Sequence, residues 1–234
     1  AGHKTHPGLI PYSVNVQLWS DGAHKERFIA LPGEARLDYT ARWGFKFDEG
    51  SVLVKSFAIE DEAGNPASRR WIETRLMVFE QKEWIGYSYR WNEAQTDADL
   101  VDKGGLDRAY TIRDAAAPDG QRQLKWHFPS RAECMVCHSR AAQYVLGVSE
   151  VQLNKLHDYG GVQANQLRTL EHLGVFKTKF WDIEREDIPK LNSKLSAIVH
   201  QIERRVTGKT KDLLDDHAAA QLGWNMIGAL TPLP

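Results

Sequence analysis

Trp71-Ile72-Glu73-Thr74-Arg75-Leu76-Met77-Val78-Phe79, joined through Gln81-Lys82-Glu83 to Trp84-Ile85-Gly86-Tyr87-Ser88-Tyr89-Arg90-Trp91, decides the fold. Both runs are rich in β-branched and aromatic residues, which suit a pleated, half-buried surface. Together they predict a hairpin of long strands. Upstream, Val52-Leu53-Val54-Lys55-Ser56-Phe57-Ala58-Ile59 reads as a further strand. Turn chemistry punctuates the same region at Leu31-Pro32-Gly33, Asp48-Glu49-Gly50, Gly64-Asn65-Pro66 and Pro118-Asp119-Gly120. Short strands without intervening helices over residues 9 to about 128 predict an antiparallel, sandwich-like arrangement.

From Ser130 the pattern turns helical. Ser149 with Gln152 three positions on has the form of a capping box, Gly160-Gly161 breaks the helix, and helical periodicity resumes from Ala164 to Leu173. In the charged stretch after residue 177, Leu191, Leu195, Ile198 and Ile202 recur at helical spacing. The expected class is therefore α+β. It comprises a sandwich-like part over 1–128, a helical segment over 129–176 packed on it, and a helical extension or linker over 177–234.

The composition supports a folded chain of 234 residues, with 42% hydrophobic and 10% aromatic residues and eight Trp. Such a chain buries enough apolar surface to exclude wholesale disorder. Thirty Lys and Arg against 31 Asp and Glu leave a formal charge of -1, which argues against a polyanion such as nucleic acid as partner. No run approaches the ~20 apolar residues of a membrane span.

The two cysteines fall in one pentapeptide, Cys134-Met135-Val136-Cys137-His138. This is the C-x-x-C-H pattern of covalent haem c attachment. Two thiols three positions apart on a helix each add to one haem vinyl group, and the next residue presents an imidazole to the iron. A chance occurrence is on the order of one in a few thousand chains of this size. The rivals fit less well: a thioredoxin-type dithiol wants a βαβ context, and structural zinc wants four ligands. Ser130 is the expected N-cap, with Glu133 in the first turn. Arg131 reads either as a solvated residue at the helix start or as a partner for a haem propionate, whose carboxylate a guanidinium matches.

His138 is thus the expected proximal ligand, and the distal ligand has several candidates. Of three methionines, Met135 is tethered inside the motif. Met77 lies on the long strand, on one face with Glu73 and Arg75 by the period-2 rule. Met226 follows His138 in the order in which small cytochromes c supply their Met. Core filling is the competing reading for both. A rigid strand holds ligand geometry better than a terminal segment, which favours Met77, then Met226, then an open iron. His24, His127, His157, His172, His200 and His217 are individually better read as surface or capping residues. Glu73 and Arg75 read as a cross-strand ion pair at the surface, and Trp91 to Ala98 as a structured loop, with a wall of the haem pocket as the alternative.

Several stretches resemble one family: Gly8 to Asn15, Leu18-Trp19-Ser20-Asp21-Gly22-Ala23, Glu73-Thr74-Arg75-Leu76, Tyr87 to Asn92, Gln95-Thr96-Asp97-Ala98, and Pro129 to His138. Between residues 8 and 176 the chain is similar to the haem c region of large bacterial secreted redox proteins. That region is often fused to glucose/sorbosone-dehydrogenase-like propellers or to further cytochrome domains. The resemblance implies a piece of a larger exported redox protein, with a redox partner or fused dehydrogenase as its electron donor or acceptor.

The leading expectation is a mono-haem electron-transfer module, not an enzyme by itself, matured in the periplasm because thioether attachment is made outside the cytoplasm. One alternative is an open-iron binder or catalyst for NO, CO or peroxide. The other is a carbohydrate-binding sandwich with a passenger haem, using Trp19, Trp43 or Trp84; burial is the expected fate of most of these.

Overall fold

The computed structural model describes residues 3–40 and 44–177. The expected C-terminal helical extension, Met226 and Trp43 lie outside the described residues. In chain order the elements are β1 (Ile10–Pro11), β2 (His24–Ala30), β3 (Asp38–Thr40), β4 (Gly44–Lys46), β5 (Val52–Glu60), β6 (Arg69–Glu80), β7 (Glu83–Trp91) and β8 (Ala98–Leu100). They continue with β9 (Leu106–Arg113), β10 (Gln121–Phe128), α1 (Arg131–Cys137), α2 (Glu150–Leu153), β11 (Leu156–Asp158), β12 (Gln163–Asn165) and α3 (Gln166–His172). The expected antiparallel, sandwich-like α+β architecture is present, with less helix than the sequence pattern suggests.

Two compact units form, and neither is continuous in sequence. Among the described residues, one takes 3–11, 20–33 and 49–139, and the other takes 12–19, 34–40, 44–48 and 140–177. This division parts the expected 129–176 segment after Ser139.

The first unit is built on a six-stranded sheet in the order β1-β2-β5-β6-β7-β8, antiparallel throughout. The predicted hairpin is β6–β7. Its two-residue turn, Gln81-Lys82, has φ of 52° and 62°, the left-handed pair that matches the twist of the flanking strands. Neither residue is glycine, and the backbone N–H of Gln81 is anchored on Glu49 Oε1 at 3.0 Å. The β9–β10 hairpin is stitched to the end of β5 by Arg113 N to Asp61 O (2.9 Å) and Ala63 N to Arg113 O (2.8 Å). Its inward side chains, Tyr110, Ile112, Leu124, Trp126 and Phe128, close a core with Phe57, Ile59 and Ile72. Phe57 meets Trp126 edge-on at 5.4 Å.

Beyond Trp91 the chain forms the expected structured loop. Gln95 accepts from Trp71 N at 2.7 Å and donates to Trp71 O at 2.9 Å, so it replaces a missing strand partner for β6.

The second unit has two small hairpins, β3–β4 and β11–β12, with α2 and α3. Leu153, Leu167 and Leu170 are buried, as is Gln166, which accepts from Ser13 N at 2.7 Å and donates to Ser13 O at 2.9 Å. The capping box expected at Ser149 is not formed. Ser149 makes no side-chain cap bond, and Gln152 instead accepts from Val16 N at 2.9 Å. Trp19 is 65% exposed, whereas Trp84 is buried.

Candidate functional site

The C-x-x-C-H pentapeptide lies on α1, and the sequence explains why a helix begins there. Ser130 accepts from Glu133 N at 3.1 Å while Glu133 accepts from Ser130 N at 2.7 Å, a complete capping box. His127 braces this start, with Nδ1 at 2.6 Å from Asp107 and Nε2 at 3.0 Å from Glu133. The Ser130 backbone N–H and then His127 hold the Glu133 carboxyl down at about 2. Burial works against a charged His127, but its bonds to the two carboxylates outweigh that and raise its pKa. Gly105, at φ +80°, lets the chain pass within reach: a Cβ there would sit 2.9 Å from Phe128 O and 3.0 Å from Ser130 N.

Helix α1 closes at Cys137, and His138 caps it, its N–H bonded to Cys134 O at 3.1 Å. Neither cysteine is in a disulfide, and each is half-buried. Burial pushes the Cys134 thiol up, against the opposing pull of the nearby Arg75 guanidinium.

The helix packs against β7, and the contact is made at a glycine. A Cβ on Gly86 would stand 2.5 Å from Cys134 Cβ, 2.9 Å from Cys134 Sγ and 3.4 Å from Met77 Sδ. One point on the sheet is therefore shared by the first thiol of the motif and the thioether of Met77, itself buried at 7% exposure. Glycine inside a strand signals such a close approach. That signal stood in Ile85-Gly86-Tyr87 and the sequence reading missed it.

Strand register arranges this face in three rows. Ile29, Leu53, Met77 and Gly86 are successive cross-strand partners, as are Arg27, Lys55, Arg75 and Ser88. The third row is Lys25, Phe57, Glu73 and Arg90. The first row is apolar and the second carries three cations. Here the reading of Glu73 and Arg75 as a surface pair is corrected, because Glu73 is 0% exposed. Its Oε1 accepts from Arg75 Nε (2.7 Å) and Ser88 Oγ (2.6 Å), and its Oε2 from Arg75 Nη2 (2.9 Å) and Trp126 Nε1 (2.9 Å). The cause is coverage of that face: Glu73 stands in unbroken register opposite the buried Phe57, and Trp126 of β10 packs on Phe57 and bonds Glu73. A β-bulge just beyond this pair makes Ile72 the extra residue and turns it inward too.

The other candidates have different surroundings. Arg131 is exposed and lies over the Tyr87 ring at 4.8 Å. His24 stands by Glu26 and Trp71, and His157 bonds Ser13 Oγ at 2.9 Å. His172 is exposed in the last turn of α3; His200 and His217 lie outside the described residues. Among the described residues no three His, Cys, Asp or Glu side chains converge as a metal-binding group, and no helix is long and apolar enough to cross a membrane. Comparison with protein-family models, with curated proteins and with solved structures gives no match to this chain.

Proposed function

We propose that the chain is a mono-haem c electron-transfer module, working with a redox partner or a fused dehydrogenase or cytochrome domain and matured in the periplasm. The observation that carries this is the C-x-x-C-H pentapeptide set on a short capped helix whose first thiol shares a point on the sheet with a buried methionine sulfur. The residues present fit the group. Cys134 and Cys137 would hold it by thioethers, and His138 and, in preference to Met226, Met77 would ligate its iron. When bound, haem c supplies a one-electron Fe(III)/Fe(II) couple, with a potential set by axial ligand, burial and hydrogen bonding.

The chain's own residues then have distinct tasks. The Ser130–Glu133 capping box and His127 fix where α1 starts, so the two thiols are presented at a set height above β7. Gly86 keeps the space that lets Cys134 reach the sheet. Ile29 and Leu53 extend the apolar row on which Met77 sits, and so keep water from that side. Electron transfer makes and breaks no bonds and is favoured when the surroundings rearrange little, so rigidity of this kind is the useful property.

Covalent attachment is the direct test. Exported protein, denatured and extracted with acid acetone, is expected to keep its haem and give a c-type pyridine haemochrome. The Cys134→Ala, Cys137→Ala double variant is expected to lose all of it. Haem that extracts freely from the unaltered chain would sink the reading. For the axial ligand, the weak far-red thioether-to-ferric-iron band is expected in the unaltered protein, absent from Met77→Ala and retained in Met226→Ala. A band that persists in Met77→Ala would assign the ligand elsewhere.

A further inference from the structure

We propose that the sheet carries a built-in carboxylate site, the cation row Arg27–Lys55–Arg75, and that its ligands are the propionates of the haem held at Cys134 and Cys137. This rests on the haem reading above and assigns the group's acidic edge to β2, β5 and β6 rather than to α1.

Placing three cations in adjacent register on a sheet face is unfavourable in itself, because like charges directly opposite destabilise a pair. Arg27 is only 7% exposed, so this is not a solvated surface ladder. The carboxylate facing the row is Glu73, and its capacity is used. An ionised carboxylate offers about four acceptor positions, and Arg75 (twice), Ser88 and Trp126 occupy that many on Glu73. Lys55 is left with the ring of Phe57, 4.9 Å from its Nζ; among the described residues nothing accepts a hydrogen bond from its ammonium. Burial, then Arg27, Arg75 and Lys25, push the Lys55 pKa well down, with only Glu73 opposing. A second anion on this face would compensate the buried Lys55 and offset its repulsion from Arg27 and Arg75.

The placement suits a group with one apolar and one acidic edge. The apolar row, Ile29–Leu53–Met77–Gly86, includes the point shared with Cys134. The cation row lies two residues along each strand, about 7 Å away. Arg131, the partner suggested by the sequence, is engaged elsewhere. Gly86 and Ser88 belong to the rows just described, so strand alternation turns Tyr87, on which Arg131 stacks, to the opposite face.

The test uses exported, haem-loaded protein as the unaltered chain, Lys55→Met, Lys55→Arg, and Lys125→Met as a control on the exposed side of β10. Pyridine haemochrome after denaturation is expected to show equal covalent haem in all four. At a fixed poise the ferric-to-ferrous ratio of Lys55→Met is expected to rise at least threefold, about 30 mV for a one-electron couple. Losing a cation beside a propionate favours the more positive iron. Lys55→Arg is expected to restore the ratio, and the propionate bending band in resonance Raman to move in Lys55→Met and not in Lys125→Met. Lys55→Gln serves for the same readings if Lys55→Met does not accumulate. Full covalent haem with unmoved ratio and band would overturn the carboxylate site and leave the haem reading standing. Absence of covalent haem from the unaltered chain would overturn both.

Discussion

Glu73→Ala is expected to be among the most destabilising single changes in the molecule, costing about 3 kcal/mol. Breaking a buried ion pair by removing one partner generally costs about 3–5 kcal/mol, because the other charge stays behind without compensation. The lower end applies here because the Arg75 side chain is 33% exposed and regains some water. Two further donors are orphaned, Ser88 Oγ and Trp126 Nε1, both on buried residues, and each unsatisfied buried group costs about 1–3 kcal/mol unless it relaxes. The damage is not local. Trp126 belongs to β10 and Ser88 to β7, so the carboxylate ties the β9–β10 hairpin to the main sheet. Urea unfolding should show a clearly lower midpoint, with Glu73→Gln intermediate because the amide keeps the shape but not the charge. A midpoint shift for Glu73→Ala equivalent to less than 1 kcal/mol would show that the network carries little stability.

Gly86→Leu is expected to cut covalent haem at least tenfold, and Gly86→Ala to cost about 1–3 kcal/mol, the usual range for forcing extra volume into a packed site. The argument is steric. The added Cβ would meet Cys134 Cβ at 2.5 Å, nearer than such atoms approach, and that atom is fixed to the helix backbone rather than to a flexible tip. Helix α1 must then lift from β7, taking Cys134 from its place beside Met77. Gly104 makes a suitable control, since a Cβ there meets nothing within 4 Å. Gly86→Ala matching Gly104→Ala in both stability and haem content would mean that the close approach of α1 to β7 does not exist in solution.

Much of the architecture was legible in order of residues. The strand over Val52 to Ile59, the Trp71–Phe79 and Trp84–Trp91 hairpin and the helix start at Ser130 appear as β5, β6–β7 and α1. Each depends on neighbours in sequence: β-branched and aromatic runs, a two-residue turn, a cap with its Glu three positions on. Ser149 shows the limit of the same logic. Its pattern was equally good, but Val16, 136 residues away, claimed Gln152. A cap motif competes with tertiary partners, and the partners are invisible in the local string.

The chemistry of attachment also belongs to the string itself. Cys134, Cys137 and His138 fall within five residues, so their spacing is settled before any folding, and the proposed thioether attachment can be read from it. Everything around them depends on register. Whether Glu73 faces water or core was decided by the β9–β10 hairpin, whose Trp126 covers the face that Glu73 shares with Phe57 and bonds its carboxylate. The cation row exists because residues 27, 55 and 75 meet across three strands; within its own strand Lys55 is only a charge among apolar neighbours. Gly86 matters because α1, nearly 50 positions later, folds back onto β7. Covalent spacing and local propensity act over a few residues and can be read from the sequence. Register and close packing join residues tens of positions apart, and only the assembled sheet sets them.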